Sequence, residues 1–249
     1  MKMRKIPIMM KVSVVTSLFL LTHFTYAANL PTIKKEGETV QAFIPDGWHL
    51  ATNQVKGDLN QDGIDDIAAI FESDTPMLIE EVNNADTQSK PIKPRILAIF
   101  FAKKGGGYQL STQANHGVLT ADNAAIMTDP IIYMKIKRNA LNVAYAGGDA
   151  DKNHWEVTAR FRYKKDDWYM TGYNKSHYTA ATSQVVKNDY NAMTGKMRIT
   201  TKSLNVDPNA DKVKQITRWE QFKNTKEIKL SHFNPWTVIR LGGTTTADR

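Results

Sequence analysis

The sequence predicts a mainly β protein made of antiparallel hairpins, sandwich- or barrel-like, with little helix; an α+β arrangement is the alternative. Three observations lead there. "WEVTARFRY", residues 155–163, places Trp155, Val157, Ala159, Phe161 and Tyr163 on one face and Glu156, Thr158, Arg160 and Arg162 on the other, the period of a half-buried strand. Strand-like runs recur in pairs across short polar turns: "KKDD" separates this segment from "WYMTGY", and "KRNA" separates "IIYMKI" from "LNVAY". Each pair reads as a β-hairpin. Finally, "DIAAIF" (66–71) and "RILAIFFA" (95–102) are apolar on both faces and bounded by charge or proline, which suits central strands covered on both sides.

Taken in order, the chain opens with a segment that reads as an address. Lys2, Arg4, Lys5 and Lys11 precede an apolar run from Val12 to Leu21, and Thr25-Tyr26-Ala27 supplies the small residues of a cleavage site. Residues 1–27 are expected to be a secretory signal peptide, cleaved before Ala28. Its apolar core falls short of the roughly 20 residues that span a bilayer. No later segment is apolar for long enough, so no transmembrane segment is expected after cleavage. The chain has no cysteine. That removes disulfides, thiolate metal sites and a lipid-modified N-terminal cysteine, so there is no lipobox. The expected location is periplasmic or secreted.

Of the 33 basic residues four lie in the leader, leaving 29 against 25 acidic ones in residues 28–249 and a net charge of +4. Lys34/Lys35, Lys103/Lys104 and Lys164/Lys165 are scattered pairs, and no nucleic-acid partner is expected. The mature segment is read as a single β-rich domain.

Between the two apolar runs, "NNADTQSKPIKP" (83–94) is polar with two prolines and is expected to be a surface loop, the most protease-sensitive point. "KKGGGYQL" from Lys103 lacks the ending of a phosphate loop and reads as a hairpin turn. Near the C-terminus "GKMRITTKSL" is strand-like and "NVDPNAD" is turn chemistry. Residues 207–222 read either as a returning strand, favoured because an Asp-Pro-Asn turn follows an evident strand, or as a helix from Pro208 with Val213, Ile216, Trp219 and Phe222 in one stripe.

The chemistry-bearing stretch is "GDLNQDGIDD", residues 57–66. Its four carboxylates repel one another unless a cation or hydrogen-bond donors compensate. Asp58, Asn60 and Asp62 stand at alternate positions, Gly63 permits a sharp turn, Ile64 offers a backbone carbonyl and Asp66 follows two residues on. These are the first, third, fifth, seventh and ninth positions of a calcium loop, with oxygen donors suited to a hard ion. Position twelve, where an EF-hand supplies glutamate, is Ala69 inside an apolar run, so a helix-loop-helix sensor is not expected. The loop is read as part of a hairpin at 55–71 that binds calcium.

"DLNQDGIDD" resembles the D-x-[DN]-x-D-G-x-x-D loops of integrin-type FG-GAP and VCBS repeats, present here as a single copy. The resemblance implies calcium held in a turn between two strands, with the ninth-position aspartate, Asp66, closing the coordination. The order "FIPDGW", "GDLNQDGIDDIA", "FRYKKDDWYMTGY", "DYNAMTGKM" is similar to a group of secreted bacterial proteins that have no assigned activity and carry one such loop. That likeness implies export and the calcium loop and transfers no catalytic residue.

No nucleophile elbow, zinc-protease helix, phosphate loop or cysteine nucleophile is present, and no enzyme is expected. His49, His116, His154, His177 and His232 lack ligand spacing, and Glu80/Glu81 reads as a solvated edge. "GGDADKNHWE" repeats the alternate oxygens at Asp149, Asp151 and Asn153 but has His154 where a calcium loop has glycine, so a turn is expected there. Among the aromatics Trp155, Phe161, Tyr163, Trp168, Tyr169, Tyr173 and Tyr178, alternate members should fill the core while the others could face a glycan or protein. The expected function is an exported, non-catalytic calcium-binding β-domain that contacts a protein or another envelope macromolecule. A periplasmic immunity or inhibitor protein acting on a toxin or cell-wall hydrolase, and an enzyme with an unrecognised site, are the alternatives.

Overall fold

Alternating apolar side chains need a surface to cover, and two antiparallel sheets provide it. The computed structural model describes residues 30–83, 86–123, 129–149, 152–204, 215–222 and 227–240. The first sheet contains β1 (Glu36–Gly37), β2 (Trp48–Leu50), β3 (Val55–Gly57) and β4 (Asp66–Ser73). A separate two-stranded ribbon follows, β5 (Met77–Asn83) paired with β6 (Asp86–Ile92), and the chain re-enters the first sheet as β7 (Arg95–Ala102) and β8 (Tyr108–Ala114). Its order is β1-β8-β7-β4-β2, with β3 also pairing with β4. The second sheet is a seven-stranded meander in sequence order: β9 (Ile131–Ile136), β10 (Leu141–Asp149), β11 (Asn153–Lys164), β12 (Asp167–Thr179), β13 (Gln184–Asn191), β14 (Lys196–Ser203) and β15 (Gln215–Gln221). The single α-helix among the described residues, α1 (Pro235–Arg240), is six residues long. None of the described helices is long and apolar enough to cross a membrane.

The first sheet is buried on both faces. Ala68 and Ile70 of β4 and Leu97 and Ile99 of β7 join a core that includes Val143, Tyr145, Val157, Ala159, Phe161 and Tyr173 of the meander. Ile67, Ala69, Phe71, Ile96, Ala98 and Phe100 point the other way, onto Ile33, Val40 and Phe43 of the N-terminal segment, with Trp48 of β2 beside them. This explains why both strands are continuously apolar although the sheet is antiparallel: each side meets a covering layer. Leu230, Phe233, Val238 and Ile239 close the larger core, with Phe233 edge-on to Phe161 at 4.9 Å.

The hairpins follow the turn chemistry. Lys165 and Asp166 take φ of 51° and 58° between β11 and β12, and Arg138 and Asn139 take 53° and 55° between β9 and β10. Two consecutive left-handed residues match the right-handed twist of the flanking strands. The glycine run after β7 closes a turn in which the Lys103 N–H donates to the Gly107 carbonyl at 3.0 Å. "GGDADKNHWE" lies at the β10–β11 hairpin, paired as far as Asp149 opposite Asn153, while Asp151 falls outside the described residues.

One expectation is overturned and one ambiguity is resolved. Residues 83–94 are not a loop: most of them form β6, paired with β5 from Met77↔Ile92 to Asn83↔Asp86. The ribbon forms despite its polar composition because its two strands satisfy each other's backbone. At the other end, residues 215–221 are a strand, paired antiparallel with β14 from Lys202↔Gln215 to Lys196↔Gln221. The turn expected at "NVDPNAD" and the leader expected at 1–27 fall outside the described residues.

Candidate metal centre

The acidic loop connects β3 to β4, antiparallel neighbours that bring Gly57 opposite Asp66 and so close both ends of the loop together. A Cβ on Gly57 would stand 2.7 Å from Cγ2 of Ile136, so glycine there lets β3 lie against β9. Within the loop Gln61 and Gly63 adopt φ of 70° and 84°, the tight turns the glycine-containing sequence predicts.

Its side chains then do two kinds of work. Asp58 accepts hydrogen bonds from the N–H of Gln61 at Oδ1 (2.6 Å) and of Gly63 at Oδ2 (3.1 Å). Asn60 Oδ1 accepts from Asp62 N–H (3.0 Å), Asp62 Oδ1 accepts from Ile64 N–H (2.8 Å), and Asn60 Nδ2 donates to Asp62 Oδ2 (3.1 Å). These bonds are local and exposed. Asp66, by contrast, is fully buried. Its Oδ2 accepts from Leu59 (2.8 Å) and Asn60 (3.2 Å), and its Oδ1 accepts from Ala102 at the end of β7 (3.0 Å), so one carboxylate ties the start of the loop to the centre of the first sheet.

Electrostatically the loop is unbalanced. Burial pushes the Asp66 carboxyl above the ordinary range; its three backbone hydrogen bonds oppose that shift, and the negative charge of Asp62 adds to it. Among the described residues no lysine, arginine or histidine forms a salt bridge with Asp58, Asp62, Asp65 or Asp66. Elsewhere the same fold does supply counter-charges. Buried Arg95 binds Glu72 (2.5 Å) and grips Asp129 through both terminal nitrogens (3.0 and 2.5 Å).

The donor chemistry fits a hard cation: carboxylate and amide oxygens at Asp58, Asn60, Asp62 and Asp66, and a carbonyl at Ile64. Each loop oxygen that accepts one backbone bond keeps a second lone pair, whereas Asp66 Oδ2 already accepts two. Asn60 and Asp62 are in direct contact, and Asp62 acts on Asp66 through its charge. Among the described residues no three histidine, aspartate or glutamate side chains stand close enough together to hold a metal ion.

Three participants escaped the sequence reading. Leu59 is buried in the larger core and plugs the loop into it; an apolar residue inside an acidic run was its signal. Asn139, in the β9–β10 turn, donates through Nδ2 to the Asp58 carbonyl at 2.8 Å, and Ala102 supplies a backbone N–H. Neither leaves a trace in the local pattern. The histidines stay dispersed: His49 bonds Asp74 (2.7 Å) and His154 stacks on Tyr178. The aromatics divide between core and surface layer. Phe161, Trp168, Tyr169 and Tyr173 are buried and Trp155, Tyr163 and Tyr178 half-buried, whereas the exposed indole is Trp219.

No family model matches the chain, and no curated protein or solved structure matches it. Function is therefore read from the residues themselves.

Proposed function

We propose that this chain is an exported, non-catalytic β-domain that holds calcium in the 58–66 loop and acts by contacting another macromolecule of the bacterial envelope. The observation that supports the ion is the unbalanced charge of the loop: four carboxylates, one of them buried, with no cationic side chain against them among the described residues. A divalent cation held by Asp58, Asn60, Asp62, the Ile64 carbonyl and Asp66 would remove that repulsion, as in the FG-GAP and VCBS loops the sequence resembles. The local hydrogen bonds give the loop a shape of its own, so calcium would tighten a formed turn and stabilise the β3–β4 junction. An ion in such a place acts on stability, and through it on whatever surface the two sheets present.

The test is thermal. An extracellular-type site binds at roughly 10⁻⁴ M, and at about 1 mM calcium linkage contributes roughly 1.4 kcal/mol. Melting of the secreted form should then rise by about 3–6 °C between chelator and calcium. An unchanged melting curve would remove the ion from the account. Export is tested separately, by an N-terminus at Ala28 in protein recovered from the envelope fraction; an intact leader would contradict it.

A further inference from the structure

Among the described residues, β15 is the last strand of the meander and carries apolar side chains that face water. Strand β15 pairs with β14 on one side and stands at the end of the strand order. Ile216 is 57% exposed, Trp219 65% and Phe222, the residue after the strand, 44%. An exposed, apolar edge is a template for another strand.

We infer that β15 pairs antiparallel with β15 of a second copy of this chain, about a two-fold axis through Trp219. The backbone restricts the register first. The Phe222 N–H donates to the Gly195 carbonyl (2.9 Å), one step beyond Lys196↔Gln221, so even-numbered residues turn their polar groups toward β14. By alternation residues 215, 217, 219 and 221 turn theirs to the free edge. A two-fold pairing must therefore set odd residues opposite odd ones, which leaves centres at 217, 218, 219 or 220.

Side-chain chemistry selects among the four. A centre at 218 opposes Arg218 to its own copy, and one at 220 opposes Glu220 to its own copy; like charges directly opposite are unfavourable. A centre at 217 sets Arg218 against Ile216 and Trp219 against Gln215, so within the described strand it forms no charge pair and no apolar pair. At 219 every pair is complementary: Arg218 meets Glu220 twice, Ile216 meets Phe222 twice, Thr217 meets Gln221 and Trp219 meets Trp219. Residues 217, 219 and 221 then form the hydrogen-bonded pairs, and Arg218 with Glu220 and Ile216 with Phe222 occupy the pairs where side chains come closest. Arg218 and Glu220 already attract each other within one strand, at 3.3 Å and largely in solvent, so exchanging that contact for the partner's desolvates little. The dimer is independent of the calcium loop, which lies on the other sheet.

The experiment is sedimentation equilibrium of the secreted form from micromolar to near-millimolar concentration, on the wild type and on Arg218→Glu and Glu220→Arg. Arg218 is exposed and Glu220, half-buried, keeps 40% of its side chain in solvent, so each variant should melt close to the wild type. The wild type should dimerise, and each single variant should weaken dimerisation about tenfold or more, because both cross-strand charge pairs become repulsive. Mixing the two variants should restore a dimer, as a heterodimer in which the doubly acidic edge of the first variant faces the doubly basic edge of the second. The inference is overturned by a wild type that stays monomeric throughout, by single variants that dimerise as tightly as the wild type, or by a mixture that fails to associate.

Discussion

Replacing Asp66 by asparagine separates the carboxylate's structural work from any ion. In the wild type two oxygens accept three backbone N–H groups, from Leu59, Asn60 and Ala102, at a fully buried position. Asparagine keeps the shape but offers one oxygen and one NH₂ group. With the oxygen toward Leu59 and Asn60, the NH₂ faces the Ala102 N–H, donor against donor; turned around, it faces two donors. At least one buried N–H loses its acceptor and the remaining bonds lose their charge, which together cost about 2–4 kcal/mol. For a domain of this size that corresponds to a melting temperature lower by about 5–15 °C. Asp66→Ala, which leaves all three donors unpaired, should cost about 3–5 kcal/mol. The measurement is urea and thermal unfolding in excess chelator, with Asp65→Asn, at an exposed position, as the control expected to lie within about 0.5 kcal/mol of wild type. An Asp66→Asn protein as stable as wild type in chelator would refute the anchoring role.

Other positions give independent checks. Gly57→Ala should destabilise by about 1–3 kcal/mol because its Cβ meets Ile136, and Gly57→Ala with Ile136→Ala should cost less than the sum of the two, measured by denaturant unfolding. Arg95→Met should cost about 3–5 kcal/mol, since Glu72 and Asp129 would stay partly buried without their cation; an unfolding midpoint equal to wild type would contradict this. Lys175 is buried and donates to the Ile239 carbonyl, and burial lowers its pKa below the ordinary 10.5. The folded state therefore holds fewer protons than the unfolded one between that lowered value and 10.5. Stability from this group should climb as pH rises through the window, and Lys175→Met should lack the increment; a wild-type-minus-variant difference that is flat with pH would be the contrary result.

Much of the fold was legible because burial writes itself into the sequence with the period of the element. Val157, Ala159 and Phe161 alternate because one side of β11 faces the core, and 66–71 and 95–102 do not alternate because the first sheet is covered on both sides. The β5–β6 ribbon was missed for the converse reason: a segment joined to neither main sheet carries no such periodic imprint, and proline with polar residues then resembles a loop. Ile216, Trp219 and Phe222 fit a helical stripe in the sequence, yet pairing with β14 makes 215–221 a strand and puts Ile216 and Trp219 on opposite faces. In the candidate site, the spacing of Asp58, Asn60, Asp62 and Asp66 was visible as a local pattern. What joins it to the fold was not: Asn139 and Ala102 arrive from 81 and 36 residues away, and a hydrogen bond across such a distance has no local signature.

The central claim, that the loop holds calcium, is tested most directly by titration calorimetry of metal-stripped protein comprising residues 28–249 with calcium, side by side with Asp62→Ala. Asp62 is the useful partner because its contacts are exposed and local, so its loss leaves the Asp66 anchor in place. The account predicts one calcium per chain at roughly 10⁻⁴ M for the wild type and at least tenfold weaker binding for Asp62→Ala. No binding heat at millimolar calcium, with equilibrium dialysis also showing none retained, would mean that the loop is a hydrogen-bonded turn and that its charges are borne without an ion.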